Sequence, residues 1–303
     1  MVKRAVCWLG RLVAMTQPDT EHTYRQRILK VMVYIGEHLD GDLSLDAMAR
    51  LSCFSRYHFH RVFREQGGEP LARYVRRLRM ERAAGRLMQT KRGVLEIALE
   101  SGFETHESFS RVFREMFGVS PSDYRKGRGV ALGPTAGVAL EPRPTGAMIM
   151  QVEVQELVSR RIASVSHAGA YEQIGPKFEQ ICAWAGQRNL LGPETMVLGI
   201  YYDDPDVTPV EQRRSEAGVT VGDGVEGDGE VTVGELAGGS YAVARHKGCY
   251  SKLIDTYRWI YGQWLPTSGR EPGDAPCFEV YLNDPQRVKP EELETDVYVP
   301  LRG

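Results

Sequence analysis

Two internal repeats constrain this chain more than any other feature of its sequence. Arg61-Val62-Phe63-Arg64-Glu65 returns fifty positions on as Arg111-Val112-Phe113-Arg114-Glu115. Around it Phe54, Phe59, Gly68 and Tyr74 find counterparts in Phe103, Phe109, Gly118 and Tyr124. Further along, His167-Ala168-Gly169-Ala170-Tyr171 returns as His246-Lys247-Gly248-Cys249-Tyr250, and Asp204-Pro205 as Asp284-Pro285. Each half is thus a duplicated module. A length of 303 residues agrees with two domains. Between the halves, GRGVALGPTAGVALEPRPTGAM (127–148) is dense in Gly and Pro and lacks any sustained period, as a linker does. The expected organisation is an N-terminal extension over 1–22 that need not be ordered, a first domain over 23–127, a linker over 128–148 and a second domain over 149–303.

The charge is divided the same way. Of 38 Lys+Arg and 40 Asp+Glu, residues 1–130 hold 23 and 15, a surplus of 8 positive charges. The remainder hold 15 and 25, a surplus of 10 negative charges, so the overall −2 conceals a basic half joined to an acidic one. Such a basic half fits an anionic partner, nucleic acid above all. Other classes are excluded. No apolar run reaches about 18 residues, so no membrane partner is expected. Arg11 interrupts the short apolar opening and no small-residue cleavage site follows, which argues against a signal peptide; Met15 offers an alternative start. Five cysteines without C-x-x-C spacing argue against a disulfide framework and structural zinc, and a cytoplasmic location follows. No metal cluster or cofactor motif stands out: His58 and His60 lie two apart on a helix and face different ways, and no phosphate-cradling loop or nucleophile elbow occurs.

The basic half has helical periodicity, opened by Ile28, Met32, Ile35 and Leu39. In its second repeat, Val94, Ile97, Ala98 and Ser101 share one face of a short helix, Gly102 makes a sharp turn, and a helix from Thr105 to Phe117 follows. The latter buries Phe109, Val112, Phe113 and Met116 and presents His106, Glu107, Ser110, Arg111 and Arg114 on its opposite face. The first repeat has the same plan: a helix over Ser44–Leu51, a turn over Ser52–Phe54, and a helix over Ser55–Gln66 presenting Tyr57, His60, Arg61 and Arg64. Guanidinium, imidazole and hydroxyl groups along one helix face suit the base edges and phosphates of a major groove. The helix Leu71–Met88 between the units is a rigid spacer whose arginines (Arg73, Arg76, Arg77, Arg79, Arg82, Arg86) are expected in solvent or on phosphate. Both polar helix faces are therefore expected to lie open together toward one DNA face.

The stretch EIALESGFETHESFSRVFREMFGVSPSDYR (96–125) resembles the C-terminal signature of the AraC/XylS transcription regulators, a likeness that covers about residues 24–127. The resemblance implies two helix-turn-helix units whose second helices enter successive major-groove segments. By position, Tyr57, His60 and Arg61 would face bases in the first unit, and His106, Glu107, Ser110 and Arg111 in the second. Cys53 replaces the glycine found at Gly102, and the domain is N-terminal where most of that family carry it C-terminally.

In the acidic half each repeat runs from a strand ending in H-x-G-x-Y into a helix (Ile174–Arg188, Ser251–Leu265) and then a strand (Met196–Tyr202, Phe278–Leu282). Aligning the closing strands sets Glu279 against Gly199 and Tyr281 against Tyr201, with Glu279 and Tyr281 on one side and Phe278 and Val280 on the other. A lone carboxylate flanked by aromatic rings suits a lipophilic cation. CFEVYLNDPQRVKPEELETDVYVPL (277–301), with YYDDP (201–205) and HKGCY, resembles the GyrI-like effector-binding fold over about 149–303. Members of that family occur in multidrug-responsive regulators, where a central glutamate, matched here by Glu279, holds bulky cationic or lipophilic compounds. Some relatives hydrolyse cyclopropane-bearing genotoxins. Tyr201, Tyr281, Trp259 and Tyr298 are the expected walls of the site, and Glu216 stands where that family usually has aspartate.

The expectation is a multi-domain chain: an all-α tandem helix-turn-helix domain followed by an α+β, duplicated β-α-β-β domain. It would act as a transcription regulator, an activator in a multidrug response. Its partners would be double-stranded promoter DNA, a small lipophilic or cationic effector and RNA polymerase, with no cofactor and no catalytic residue. The alternatives are a hydrolase of reactive genotoxins, with Glu279 assisting water, and a protein-interaction module without a ligand.

Overall fold

The structure is a computed structural model that describes residues 20–127, 150–203, 205 and 208–303. Most of the expected N-terminal extension and the 128–148 linker lie outside the described residues. Seven helices form the first half: α1 (Thr20–Glu37), α2 (Leu45–Leu51), α3 (Arg56–Gly67), α4 (Leu71–Gln89), α5 (Val94–Glu100), α6 (His106–Phe117) and α7 (Pro121–Arg125). Their starts follow local chemistry. Ser44 accepts from Ala47 N, Thr105 from Ser108 N and Ser120 from Asp123 N, each satisfying a donor that the first helical turn leaves unpaired. Gly68 and Gly118 end α3 and α6 in the left-handed conformation. The two helix-turn-helix turns are superimposable in kind, since Cys53 (φ 57°) takes the same left-handed backbone as Gly102 (φ 82°). A side chain at such a position is strained by roughly 1 kcal/mol.

The two units have separate cores. The second packs Met80, Leu87, Ile97, Phe109, Phe113 and Tyr124 together. The spacer helix α4 does more than hold distance. Arg82 pairs with Asp40 of the first unit and donates to the Glu100 carbonyl of the second, while Arg86 pairs with the Glu100 carboxylate. Arg77 bridges Glu69 and Glu81, and Arg79 donates to the Leu39 carbonyl. Four of the six spacer arginines expected in solvent or on phosphate are thus committed within the domain; Arg73 and Arg76 are exposed.

The second half is one eight-stranded antiparallel sheet in the order β1-β6-β8-β7-β3-β4-β2-β5. Its strands are β1 (Val152–Leu157), β2 (Arg160–Ala168), β3 (Val197–Tyr201), β4 (Arg214–Val221), β5 (Val231–Leu236), β6 (Gly239–Lys247), β7 (Cys277–Tyr281) and β8 (Glu294–Pro300). Each repeat contains the expected β-α-β-β core, preceded by a strand that was not foreseen; β1 and β5 cross over to pair with the opposite repeat at the two sheet edges. The helices are α8 (Gly175–Gln187) and α9 (Leu253–Trp259), the latter running through a π turn (Ile260–Trp264) into α10 (Leu265–Thr267). The repeats meet at the β3–β7 pair, so the middle of the sheet is also the junction of the duplication.

The two halves do not stand apart. The core of the first helical unit (Tyr24, Ile28, Ile35, Phe59, Phe63) continues without a break into Leu253, Tyr257, Ile260, Leu265 and Val297 of the sheet domain. Tyr24 Oη donates to the Arg270 carbonyl, Arg27 pairs with Glu271 at 2.8 Å, and Ser55 Oγ donates to the Gly273 carbonyl. These contacts bring α3 onto the helix face of the sheet.

Candidate effector and DNA sites

The acidic-half site forms where alternation forces polar groups onto the helix-covered face of β7. Cys277, Glu279 and Tyr281 point to that face; Phe278 and Val280 point to the apolar cluster on the other. Glu279 lies directly opposite Gly199, as expected, and is 5% exposed. Tyr281 does not pair with Tyr201: the strands are antiparallel, so Tyr201 pairs with Cys277, and the two tyrosines approach Gly199 from opposite directions. A β-carbon at Gly199 would stand 3.0 Å from the Tyr201 hydroxyl and 3.1 Å from that of Tyr281. The glycine therefore makes room for a pair of phenols rather than for open space.

These groups form a short relay of hydrogen bonds. Tyr257 donates to one oxygen of Glu279 at 3.0 Å and Tyr281 to the other at 2.9 Å. The Tyr201 and Tyr281 hydroxyls are 2.7 Å apart, and since Tyr281 donates onward, Tyr201 is the donor to it. Tyr171 packs edge-on against Tyr201, and Phe178 and Tyr250 against Tyr281. Burial pushes the Glu279 carboxyl up to about 7, against the opposing pull of the Tyr281 and Tyr257 hydrogen bonds and the positive charge of Arg61. Two-phenol solvation of a carboxylate buried among aromatic rings is suited to a cation that brings its own apolar surface.

Of the expected wall residues, Tyr201 and Tyr281 are in the site. Trp259 is half-buried against the core shared with the first helical unit. Tyr298 is not in the site: it pairs with Phe278 across the β7–β8 ladder and stacks on it at 4.5 Å, which places it on the opposite face from Glu279. Tyr257 was the residue missed. Its ring belongs to the apolar stripe of α9 and only its hydroxyl reaches Glu279, so helical spacing marks it as core. Glu216 accepts from Ser164 and Tyr202, each at 2.7 Å.

The basic half presents its two candidate faces very differently. On α6, His106, Glu107, Arg111 and Arg114 are exposed and Ser110 is half-exposed, as a groove-reading face requires. An open groove lined by Arg76, Arg79 and Arg111 runs between the two units beside it. On α3 the expectation of an open face is contradicted, because the sheet domain covers it. His60 is 4% exposed, Tyr57 and Arg64 are half-buried, and Arg64 pairs with Glu65 at 3.0 Å. Arg61 lies over the Tyr257 ring, Cζ 4.4 Å from its centroid, and donates to Cys277 Sγ at 3.1 Å. His58 is fully buried at the junction, hydrogen-bonded to Tyr261 Oη and to the Ala275 carbonyl. Burial and the neighbouring Arg61 and His60 charges push it down to about 3, so it is neutral there. Among the described residues no cluster could hold a metal ion, and no helix is long and apolar enough to cross a membrane.

Helix-turn-helix units joined to a duplicated sheet with a buried central carboxylate define a class of protein: a DNA-binding transcription regulator carrying a small-molecule-binding domain. The chain belongs to the GyrI-like small molecule binding domain family, which matches residues 150–302, and a helix-turn-helix domain of AraC type matches residues 48–127. The regulatory protein SoxS of Salmonella typhimurium is 37% identical over 103 residues, 34% of this chain and 96% of that protein. The HTH-type transcriptional regulator YbfP of Bacillus subtilis is 35% identical over 102 residues, 34% of this chain and 35% of that protein, so the chain spans about a third of YbfP. The right origin-binding protein of Escherichia coli is 23% identical over 287 residues, 91% of this chain and 98% of that protein, and so shares both halves in the same order.

Proposed function

We propose that this chain is a one-component regulator that binds promoter DNA through α6 and α3 and responds to a lipophilic cation held at Glu279. Tyr57, His60, Arg61 and Arg64 on α3 and His106, Glu107, Ser110, Arg111 and Arg114 on α6 are the DNA-facing set; Glu279, Tyr257, Tyr281 and Tyr201 are the effector set. RNA polymerase is the further partner of an activator of this kind. The observation that carries the reading is the buried Glu279 itself, solvated by the Tyr257 and Tyr281 hydroxyls within a ring of aromatic side chains. A carboxylate so placed loses water without gaining a full counter-charge of its own domain, and a cation with apolar flanks supplies one. Thermal unfolding of the full chain with tetraphenylphosphonium tests this. The wild type is expected to gain several degrees and Glu279→Gln none; equal gains in both would remove Glu279 from the site.

One observation favours a second reading. A carboxyl near 7 beside phenol donors also suits general acid–base work on a reactive electrophile. Product formation that disappears in Glu279→Gln would establish a hydrolase; stoichiometric binding without product supports the sensor.

A further inference from the structure

The first groove-facing helix and the cation site of the sheet domain meet at a single residue. Arg61 leaves α3 and lies over Tyr257, with its Cζ also 5.4 Å from the centroid of Tyr261. Tyr257 is the same residue whose hydroxyl donates to Glu279 at 3.0 Å. The guanidinium is therefore one ring away from the carboxylate, on the aromatic surface that a bound cation would use. We propose that Arg61 is a tethered occupant of the effector site: a cationic effector settling over Tyr257 and Glu279 displaces it, α3 leaves the sheet domain, and its polar face becomes available to duplex DNA. This inference rests on the reading of Glu279 as the effector's counter-charge and names how that site regulates.

One feature makes the two occupants exclusive, and two more tie their exchange to DNA binding. One phenol face accommodates one cation, and a second positive charge beside it is repelled. Of the α3 residues that would read DNA, Arg61 is held by the sheet domain through Cys277, and the helix is anchored beside it by His58 on Tyr261 and Ala275. The α6 face is open throughout, so the masked protein retains one DNA-binding unit and unmasking adds the second. Coupling through a shared contact is reciprocal: duplex DNA that captures α3 must tighten effector binding by the same factor.

The geometry provides a reversible lock. A β-carbon at Gly262, in the π turn, would stand 3.4 Å from Glu65 Cβ on α3, close to the spacing of about 3.5–4.5 Å that a disulfide spans. The experiment uses the full chain carrying Glu65→Cys and Gly262→Cys, with Cys7 and Cys53 replaced by serine. Its binding to a 30-base-pair random duplex is measured by anisotropy, oxidised and reduced, with and without tetraphenylphosphonium; calorimetry follows the cation. In the reduced protein the cation is expected to tighten DNA binding about tenfold, within the range of ordinary allosteric coupling. The oxidised protein should show no response and bind the cation about tenfold more weakly. A Gly262→Trp variant, whose ring cannot coexist with Glu65, should bind the duplex like the cation-bound protein without any cation. Oxidised protein that binds DNA and cation as tightly as reduced protein would overturn the proposal. If tetraphenylphosphonium binds no form while the locked and wedged proteins still differ on DNA, the effector reading of Glu279 and the competition both fall and the masking of α3 remains.

Discussion

Replacing Glu279 by glutamine isolates the cost of keeping this carboxylate dry. An ordinary glutamate titrates at 4.5, and burial carries Glu279 to about 7. The folded form thus holds its proton over a range in which the unfolded chain has released it. The resulting stabilisation is fully present below pH 4.5, declines as pH rises, and is gone above about 7. Its full extent is about 3 kcal/mol, from about 1.4 kcal/mol for each pH unit between the two values. Urea denaturation of the wild type and Glu279→Gln at half-unit steps from pH 4.5 to 8 should therefore show the wild type losing about 3 kcal/mol relative to the variant, then running parallel to it. Cation binding carries the opposite sign, because it needs the ionised carboxylate. Tetraphenylphosphonium affinity should rise about tenfold per pH unit up to about 7, then level off. Denaturation curves that stay parallel from pH 4.5 upward, or a cation affinity equal at pH 5.5 and 8, would refute the reasoning.

Three further outcomes follow from individual residues. Cys53→Gly should raise the stability of the chain by about 1 kcal/mol in urea denaturation, since the exposed Cys53 occupies a left-handed position and loses no packing when removed. Gly199→Ala forces the Tyr201 and Tyr281 hydroxyls apart; tetraphenylphosphonium affinity measured by calorimetry should fall several-fold while binding to random duplex stays unchanged. Arg111→Ala should cost about 1–3 kcal/mol of discrimination between a selected duplex and a random one, measured by competition; an equal loss on both would mean that Arg111 touches phosphate alone.

Much of this architecture is legible in the residues because it rests on local rules. The two helix-turn-helix units, the sharp turn at Gly102 and the opposition of Glu279 to Gly199 all follow from spacing and repeat alignment. What was not legible depends on tertiary placement. Repeat alignment treats equivalent strands as if they ran in register, whereas β3 and β7 run antiparallel about the Gly199–Glu279 pair and send Tyr201 to Cys277. Tyr298 is a candidate wall through the resemblance to the GyrI-like fold, and only its pairing with Phe278 shows which face it takes. Tyr257 is hidden because a phenol whose ring is core and whose hydroxyl is functional has the same helical spacing as a leucine. The masking of α3 is the largest departure. Tyr57, His60, Arg61 and Arg64 satisfy a DNA face and a domain interface equally well, and no local signal separates the two uses.

The central claim is that a cation at Glu279 changes how this chain holds DNA, and footprinting measures it most directly. A duplex recovered from a random pool by rounds of binding to the full chain would be probed with and without saturating tetraphenylphosphonium. The account predicts protection of one major-groove segment by α6 in the absence of the cation. With it, protection should extend to a second segment about one helical turn away, as two recognition helices on one DNA face require, and Glu279→Gln should abolish the extension. A footprint of the same length under both conditions would contradict it.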